Sequence, residues 1–154
     1  MPTRCTSRPA GSAASQWRCL QAPAENNRWE RTRRALELLA DPQHTYRVVH
    51  VTGTNGKTST SRIIESLLRA HGLRTGMFTS PHLQRFTERV MIDGAPIEDA
   101  AIADAWDEIE PVIGLVDAEL AAAGDAPLTF FELLTVLAFV AFADAPVDVA
   151  VIEV

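Results

Sequence analysis

Short β-branched runs alternate along this chain with longer segments whose apolar residues recur every three or four positions. Arg47-Val48-Val49-His50-Val51-Thr52 is a run of the first kind, and its composition predicts a buried strand. Thr75 to Thr79 predicts a second strand. Val147 to Val154 predicts another buried one, its apolar run ending at Glu153. Val90-Met91-Ile92 followed by Asp93-Gly94 reads as a strand and a tight turn. Trp29 to Ala40 predicts a helix with Ala35, Leu36, Leu38 and Leu39 on an apolar side and Arg31, Arg33 and Arg34 elsewhere; Asp41-Pro42 stops it. From Thr58 onward Ile63, Ile64, Leu67 and Leu68 recur at helical spacing until Gly72. Residues 98–123 predict an acidic helix with a solvated face, which Pro111 kinks or divides and Gly124 ends. Thr129-Phe130-Phe131-Glu132 has the spacing of a capping box, with Leu128 and Leu133 able to form the staple. The helix it opens runs to about Ala143, is apolar almost all round, and is expected to be buried. The order strand, loop, helix, strand, helices, strand predicts an α/β domain with a largely parallel sheet flanked by helices.

Residues 1–27 lack this patterning. Arg4, Arg8 and Arg18 alternate there with Ser, Pro, Gly and Ala, and the stretch reads as a disordered or non-native tail, leaving 28–154 as the domain. The chain stops in or just after a core strand without the helix expected next, as the front part of a longer protein does. At 154 residues, 47% hydrophobic and 22% charged, it has the means for a buried core. No apolar run reaches the roughly 18 residues of a membrane helix, so a soluble protein without a membrane partner is expected. Cys5 and Cys19 form no metal or disulfide framework and suit a reducing, cytoplasmic compartment. The net charge of −6 argues against a nucleic-acid partner held by its phosphates. That charge is unevenly spread: every Lys and Arg lies at or before Arg89, and the only lysine of the chain is Lys57.

The position of that lysine carries the chemistry. Gly53-Thr54-Asn55-Gly56-Lys57-Thr58 lies between the β-branched strand and an amphipathic helix, the context of a phosphate loop. Glycines let the backbone curl so that its N–H groups converge on phosphate oxygens, and the helix adds its positive end. Lys57 supplies a charge for the β/γ-phosphates, and the Thr58 hydroxyl a ligand for Mg²⁺. The loop is shorter than the generic pattern, which wants a glycine where Val51 stands. Glu153, at the carboxyl end of a parallel strand, lies where open α/β sheets bind ligands, and it is read as a Mg²⁺ ligand beside the loop. Ser80-Pro81-His82 follows a strand: Ser80 offers a hydroxyl to the same ion, Pro81 stiffens the turn, and His82 is a hydrogen-bonding loop residue rather than a base. Of Phe130 and Phe131, which point in different directions on a helix, one is expected to pack inward and the other to line a pocket for a flat ring. Arg85 and Arg89 flank Phe86, each pairing either an anionic substrate or Glu88.

Together these segments resemble the folylpolyglutamate synthase/dihydrofolate synthase family of the Mur ligase superfamily. The resemblance rests on His50 to Ser59, on Gly72 to Leu83 running on to Thr87-Glu88-Arg89-Val90, on Leu128 to Glu132, and on Val147 to Val154. The Ser-Pro-His-Leu…Thr-Glu-Arg segment separates folate ligases from cell-wall ligases. The resemblance implies a P-loop NTPase-like fold, as the N-terminal part of a Mur ligase central ATP-binding domain. It implies ATP-dependent amide synthesis through an acyl phosphate, joining L-glutamate to dihydropteroate, to folates, or to both. It assigns Thr54, Asn55, Gly56 and Lys57 to the ATP phosphates and Lys57 to catalysis. Ser80 and Glu153 are assigned to Mg²⁺ with Thr58 close by, and Ser80, Pro81, His82, Thr129, Phe130, Phe131 and Glu132 to the folate-type substrate. The family's upstream Ile-Asp-containing segment is not recognisable, and the glycine-rich segment after Val154 and the C-terminal domain are absent. The 154-residue chain is therefore expected to be inactive alone, its full-length form a monomer. A cell-wall precursor ligase and a non-catalytic nucleotide-binding module are the competing readings.

Overall fold

The computed structural model describes residues 28–81 and 85–154. Cys5, Cys19 and the tail, together with His82 and Leu83, lie outside the described residues. The first helix, α1 (Arg28–Leu38), is followed by a 3₁₀ turn at Pro42–His44 and strand β1 (Arg47–Val51). Helix α2 (Lys57–Ala70) and strand β2 (Thr75–Phe78) come next, then a 3₁₀ turn at Phe86–Arg89 and the short strands β3 (Val90–Ile92) and β4 (Ala95–Pro96). Helices α3 (Asp99–Ala123) and α4 (Phe130–Asp144) lead to β5 (Val149–Glu153).

The sheet order is β1-β5-β2-β3-β4. The first three strands are parallel, with β5 between β1 and β2, and β3 and β4 add an antiparallel edge. The Asp93-Gly94 turn supplies the two left-handed residues (φ 50° and 78°) that a twisted hairpin needs. On one face α4 packs against Phe78, Ala150 and Ile152, with α1 and α3 closing the core behind it. Gly76 permits the contact: a Cβ there would stand 2.8 Å from the Phe142 ring. Helix α2 covers the other face.

Two expectations need correction, and one of the two outcomes expected at Pro111 is excluded. Strand β1 is not buried: it is an edge strand, its residues are exposed or half-buried, and Val48 is 47% exposed. Helix α2 is present, but Ile63 and Leu67 face solvent, while Ser61 and Glu65 are the residues buried against the sheet. Glu65 is held there because its Oε1 accepts from Thr75 Oγ1 (2.6 Å) and Arg69 Nε (3.0 Å). Pro111 does not divide α3, which runs unbroken with Ala105, Ile109, Ile113, Val116 and Leu120 buried along one face. Pro111 and Asp107 both lie on the exposed face, so the carbonyl that loses its N–H partner meets water.

Candidate functional site

The parallel strands deliver their following loops to one end of the sheet, and the site begins there. Register pairs Val51 of β1 with Glu153 of β5, so the loop leaving β1 starts beside the acid that ends β5. In that loop Gly53 (φ 145°) and Gly56 (φ 73°) adopt backbone angles that side chains disfavour, and Gly56 caps α2. Thr54, Asn55 and Gly56 are exposed. The open N–H groups of the first turn of α2 thus face solvent at the helix's positive end. Lys57 Nζ bends back over the loop and donates to Gly53 O at 2.8 Å. The only lysine is therefore folded across the cradle, within reach of anything bound in it.

Glu153 is 2% exposed. Its Oε1 accepts from Thr58 Oγ1 at 3.0 Å, and its Oε2 is buried with no hydrogen-bond partner. A buried carboxylate oxygen left open beside a hydroxyl is a donor set for a hard cation. One carboxylate, hydroxyls, water and substrate phosphates are what Mg²⁺ takes, in preference to an all-protein cage. The residues fit that ion, and among the described residues no cluster of three or more His, Cys, Asp or Glu offers a different kind of centre. Ser80 reaches the same end of the sheet: β2 runs parallel to β5, with Phe78 opposite Ile152, and Ser80 follows two residues later, half-buried. Pro81 is exposed, and the Ser80–Pro81 peptide is cis.

Thr129 to Glu132 form the capping box that their spacing predicts. Glu132 Oε2 accepts from Thr129 N (2.7 Å) and Thr129 Oγ1 (2.6 Å), while Glu132 N donates to Thr129 Oγ1 (3.4 Å). The expectation that one aromatic packs inward fails: Phe130 is 56% and Phe131 43% exposed. They sit over two different hollows. Phe131 lies 5.9 Å from the buried ring of Phe78, at the nucleotide-loop end of β2, and lines a cleft of about 620 Å³ with Trp29, Thr32, Thr129 and Glu132. Phe130 meets Phe86 edge-on at 6.5 Å over a smaller apolar hollow of about 370 Å³ that includes Trp106. The Arg85 guanidinium donates to both carboxylate oxygens of Asp99 at 2.8 Å, and its backbone N donates to Glu88 Oε1 at 3.1 Å. The Arg89 guanidinium stands 6.0 Å from the Phe130 ring centre.

No family model matches the chain. It is 49% identical over 122 residues to the dihydrofolate synthase/folylpolyglutamate synthase of Mycobacterium tuberculosis, which covers 77% of this chain and 25% of that protein. It is 44% identical over 119 residues to the folylpolyglutamate synthase of Lacticaseibacillus casei, covering 77% of this chain and 27% of that one. The crystal structure of the M. tuberculosis folylpolyglutamate synthase complexed with ADP and AMPPCP superposes with a TM-score of 0.76 at 48% identity, over 81% of this chain and 28% of that one. The chain belongs to the folylpolyglutamate synthase/dihydrofolate synthase family. Its sheet and flanking helices are those of that family's Mur ligase fold. It spans about a quarter of the length of the curated relatives it matches. Among the described residues no helix is long and apolar enough to cross a membrane.

Within this member of the family, two cleft residues escaped the sequence reading. Trp29, stacked with the Arg33 guanidinium at 5.9 Å, and Thr32 come from α1 and wall the cleft opposite Phe131. Trp29, Thr32 and Leu36 recur at i, i+3 and i+7 on one helix face, and that spacing was the available signal.

Proposed function

We propose that this chain forms the nucleotide-binding part of an ATP-dependent amide ligase that joins L-glutamate to dihydropteroate, to folates, or to both. The observation that carries the reading is the glycine-bent loop at the head of α2 with Lys57 folded over it. Thr54, Asn55 and Gly56 present backbone N–H groups to the ATP phosphates. Lys57 leaves Gly53 O for the β/γ-phosphates, exchanging a carbonyl partner for an anionic one. Glu153 and Ser80, with Thr58 between loop and acid, would hold Mg²⁺. Bound there, the ion supplies neutralisation of the charge on the transferring phosphoryl group.

A carboxylate is a poor electrophile until it carries a leaving group. One of its oxygens bonds to the γ-phosphorus as the bond to ADP breaks. The amine of L-glutamate then bonds to the acyl carbon, and phosphate departs with the oxygen it gained. Lys57 acts on the first step by stabilising charge on the phosphoryl oxygens. The cleft between Trp29 and Phe131 suits a flat heterocycle, and Thr129, Phe131 and Glu132 in its lining would contact the folate-type substrate; Phe130, Ser80, Pro81 and His82 are assigned to that substrate by the family resemblance alone. The cysteine usage favours a cytoplasmic protein and the net charge of −6 disfavours a nucleic-acid partner, while a monomeric whole protein follows from the family resemblance alone.

The test is a chimera in which residues 28–154 replace the matched segment of the M. tuberculosis relative. ADP release is followed with L-glutamate and, separately, dihydropteroate or tetrahydrofolate. Turnover that requires L-glutamate and one of the two pterins is expected, and Lys57→Ala lowers it by about 100-fold or more, the scale of losing one transition-state donor. Undiminished turnover in Lys57→Ala would overturn the role given to that residue.

A further inference from the structure

We propose that Arg31 is a positioning residue for the substrate cleft: it sets the wall formed by Thr129 to Glu132 without itself lining the cleft. This rests on reading that cleft as the heterocycle site. The guanidinium makes three connections into one short stretch of chain. Its Nη2 donates to Ala126 O at 2.9 Å and to Pro127 O at 2.6 Å, two consecutive carbonyls of the loop that enters α4. Its Nε stands 3.7 Å from Glu132 Oε1, beyond hydrogen-bond reach, and both atoms are buried without another partner. Glu132 in turn closes the capping box on Thr129 through Oε2. One side chain from α1 therefore holds the loop before the box and faces the acid inside it, and Phe131 lies in sequence between the two anchorages.

The arrangement selects arginine. A planar fork reaches two carbonyls with one nitrogen and presents another to a carboxylate, whereas an ammonium group offers a single point of charge. Arg31 is only 13% exposed in its side chain, so water does not replace it easily. Its neighbour Arg34 makes a solvent-exposed pair with Glu119 away from the cleft and serves as the control.

The chimera described above is used with Arg31→Lys, Arg31→Met and the control Arg34→Ala. Arg31→Lys keeps a cation facing Glu132 but not the grip on both carbonyls. The expected result for it is a melting temperature that falls less than in Arg31→Met and a KM for the pterin substrate raised about tenfold, the scale of one lost oriented interaction. KM for ATP should stay within about twofold, since the loop at α2 is untouched. Arg31→Met is expected to raise the same KM further and to lower the melting temperature; Arg34→Ala changes neither. A pterin KM that stays at the wild-type value in Arg31→Lys and Arg31→Met, whatever the melting temperatures, makes Arg31 a purely structural residue and overturns the proposal. So does a rise in both substrates' KM values in parallel. A wild-type chimera without L-glutamate-dependent turnover would instead defeat the ligase reading on which this rests.

Discussion

Removing one hydroxyl should reveal how much the buried acid of the site depends on it. Thr58 Oγ1 is the donor to Glu153 Oε1, at 3.0 Å, and Oε2 has none. At 2% exposure Glu153 has no bulk water to turn to. Thr58→Ala therefore strands a carboxyl group, and the cost is that of a hydrogen bond to a charged group, about 1.5–3 kcal/mol. For a domain of this size about 1 kcal/mol moves the melting temperature by roughly 3–5 °C, so a fall of about 5–15 °C is expected without ligand. Thr58→Ser, which keeps the hydroxyl, should lose little. In a Glu153→Gln background the stranded group is a neutral amide, and the same Thr58→Ala change should cost only about 1 kcal/mol. Urea or thermal unfolding of the four proteins closes a double-mutant cycle whose coupling should be about 1 kcal/mol. Adding Mg²⁺ with a non-hydrolysable ATP analogue at about 100 times its Kd should then stabilise the wild type by about 2.7 kcal/mol and Glu153→Gln far less. Additive single changes, or a Thr58→Ala protein that melts with the wild type, would refute the claim that hydroxyl and acid work as one unit.

Three further outcomes test the scaffold. Helices α1, α2 and α3 end in the same motif, in which successive N–H groups bond back to carbonyls of the last turn; the left-handed residue is Gly72 after α2, Gly124 after α3, but Ala40 (φ 60°) after α1. Ala40→Gly should raise stability by about 0.5–1 kcal/mol in chemical denaturation, since a Cβ is strained there. Gly76→Ala drives a methyl into the Phe142 ring 2.8 Å away and should cost about 1–3 kcal/mol, partly recovered by Phe142→Leu in the same measurement. Tyr46 is buried against Phe142, and desolvation pushes its phenol above the ordinary value of 10.0. The folded state then holds the proton more tightly than the unfolded chain, so this contribution is intact below pH 10 and is lost as pH rises beyond it. Tyr46→Phe should flatten that alkaline fall in a pH series of unfolding curves.

What could be read from the residues alone follows the range of the interactions involved. The loop at Gly53 to Thr58 and the capping box at Thr129 to Glu132 are built from neighbours within five residues, so their local form was legible. The parallel sheet was legible from the order of its segments. Burial was not, because it depends on what lies across from a segment. The β-branched run at β1 makes a good strand wherever it is placed, yet its position at the end of the order leaves Val48 in solvent. On α2 the periodicity of Ile63 and Leu67 is real, but the face turned to the sheet was chosen by Glu65, which finds Thr75 ten residues further on. Arg31 illustrates the limit most sharply. Its neighbours Arg33 and Arg34 carry the same charge on α1, and they pair with Glu37 and Glu119 at exposed positions. Arg31 alone reaches inward, to carbonyls 95 and 96 residues away. Helical spacing sets Arg31 one turn before the buried Ala35, but the carbonyls it meets come from the loop before α4, which is why substitutions at Arg31 and Arg34 should separate so widely in the same assay.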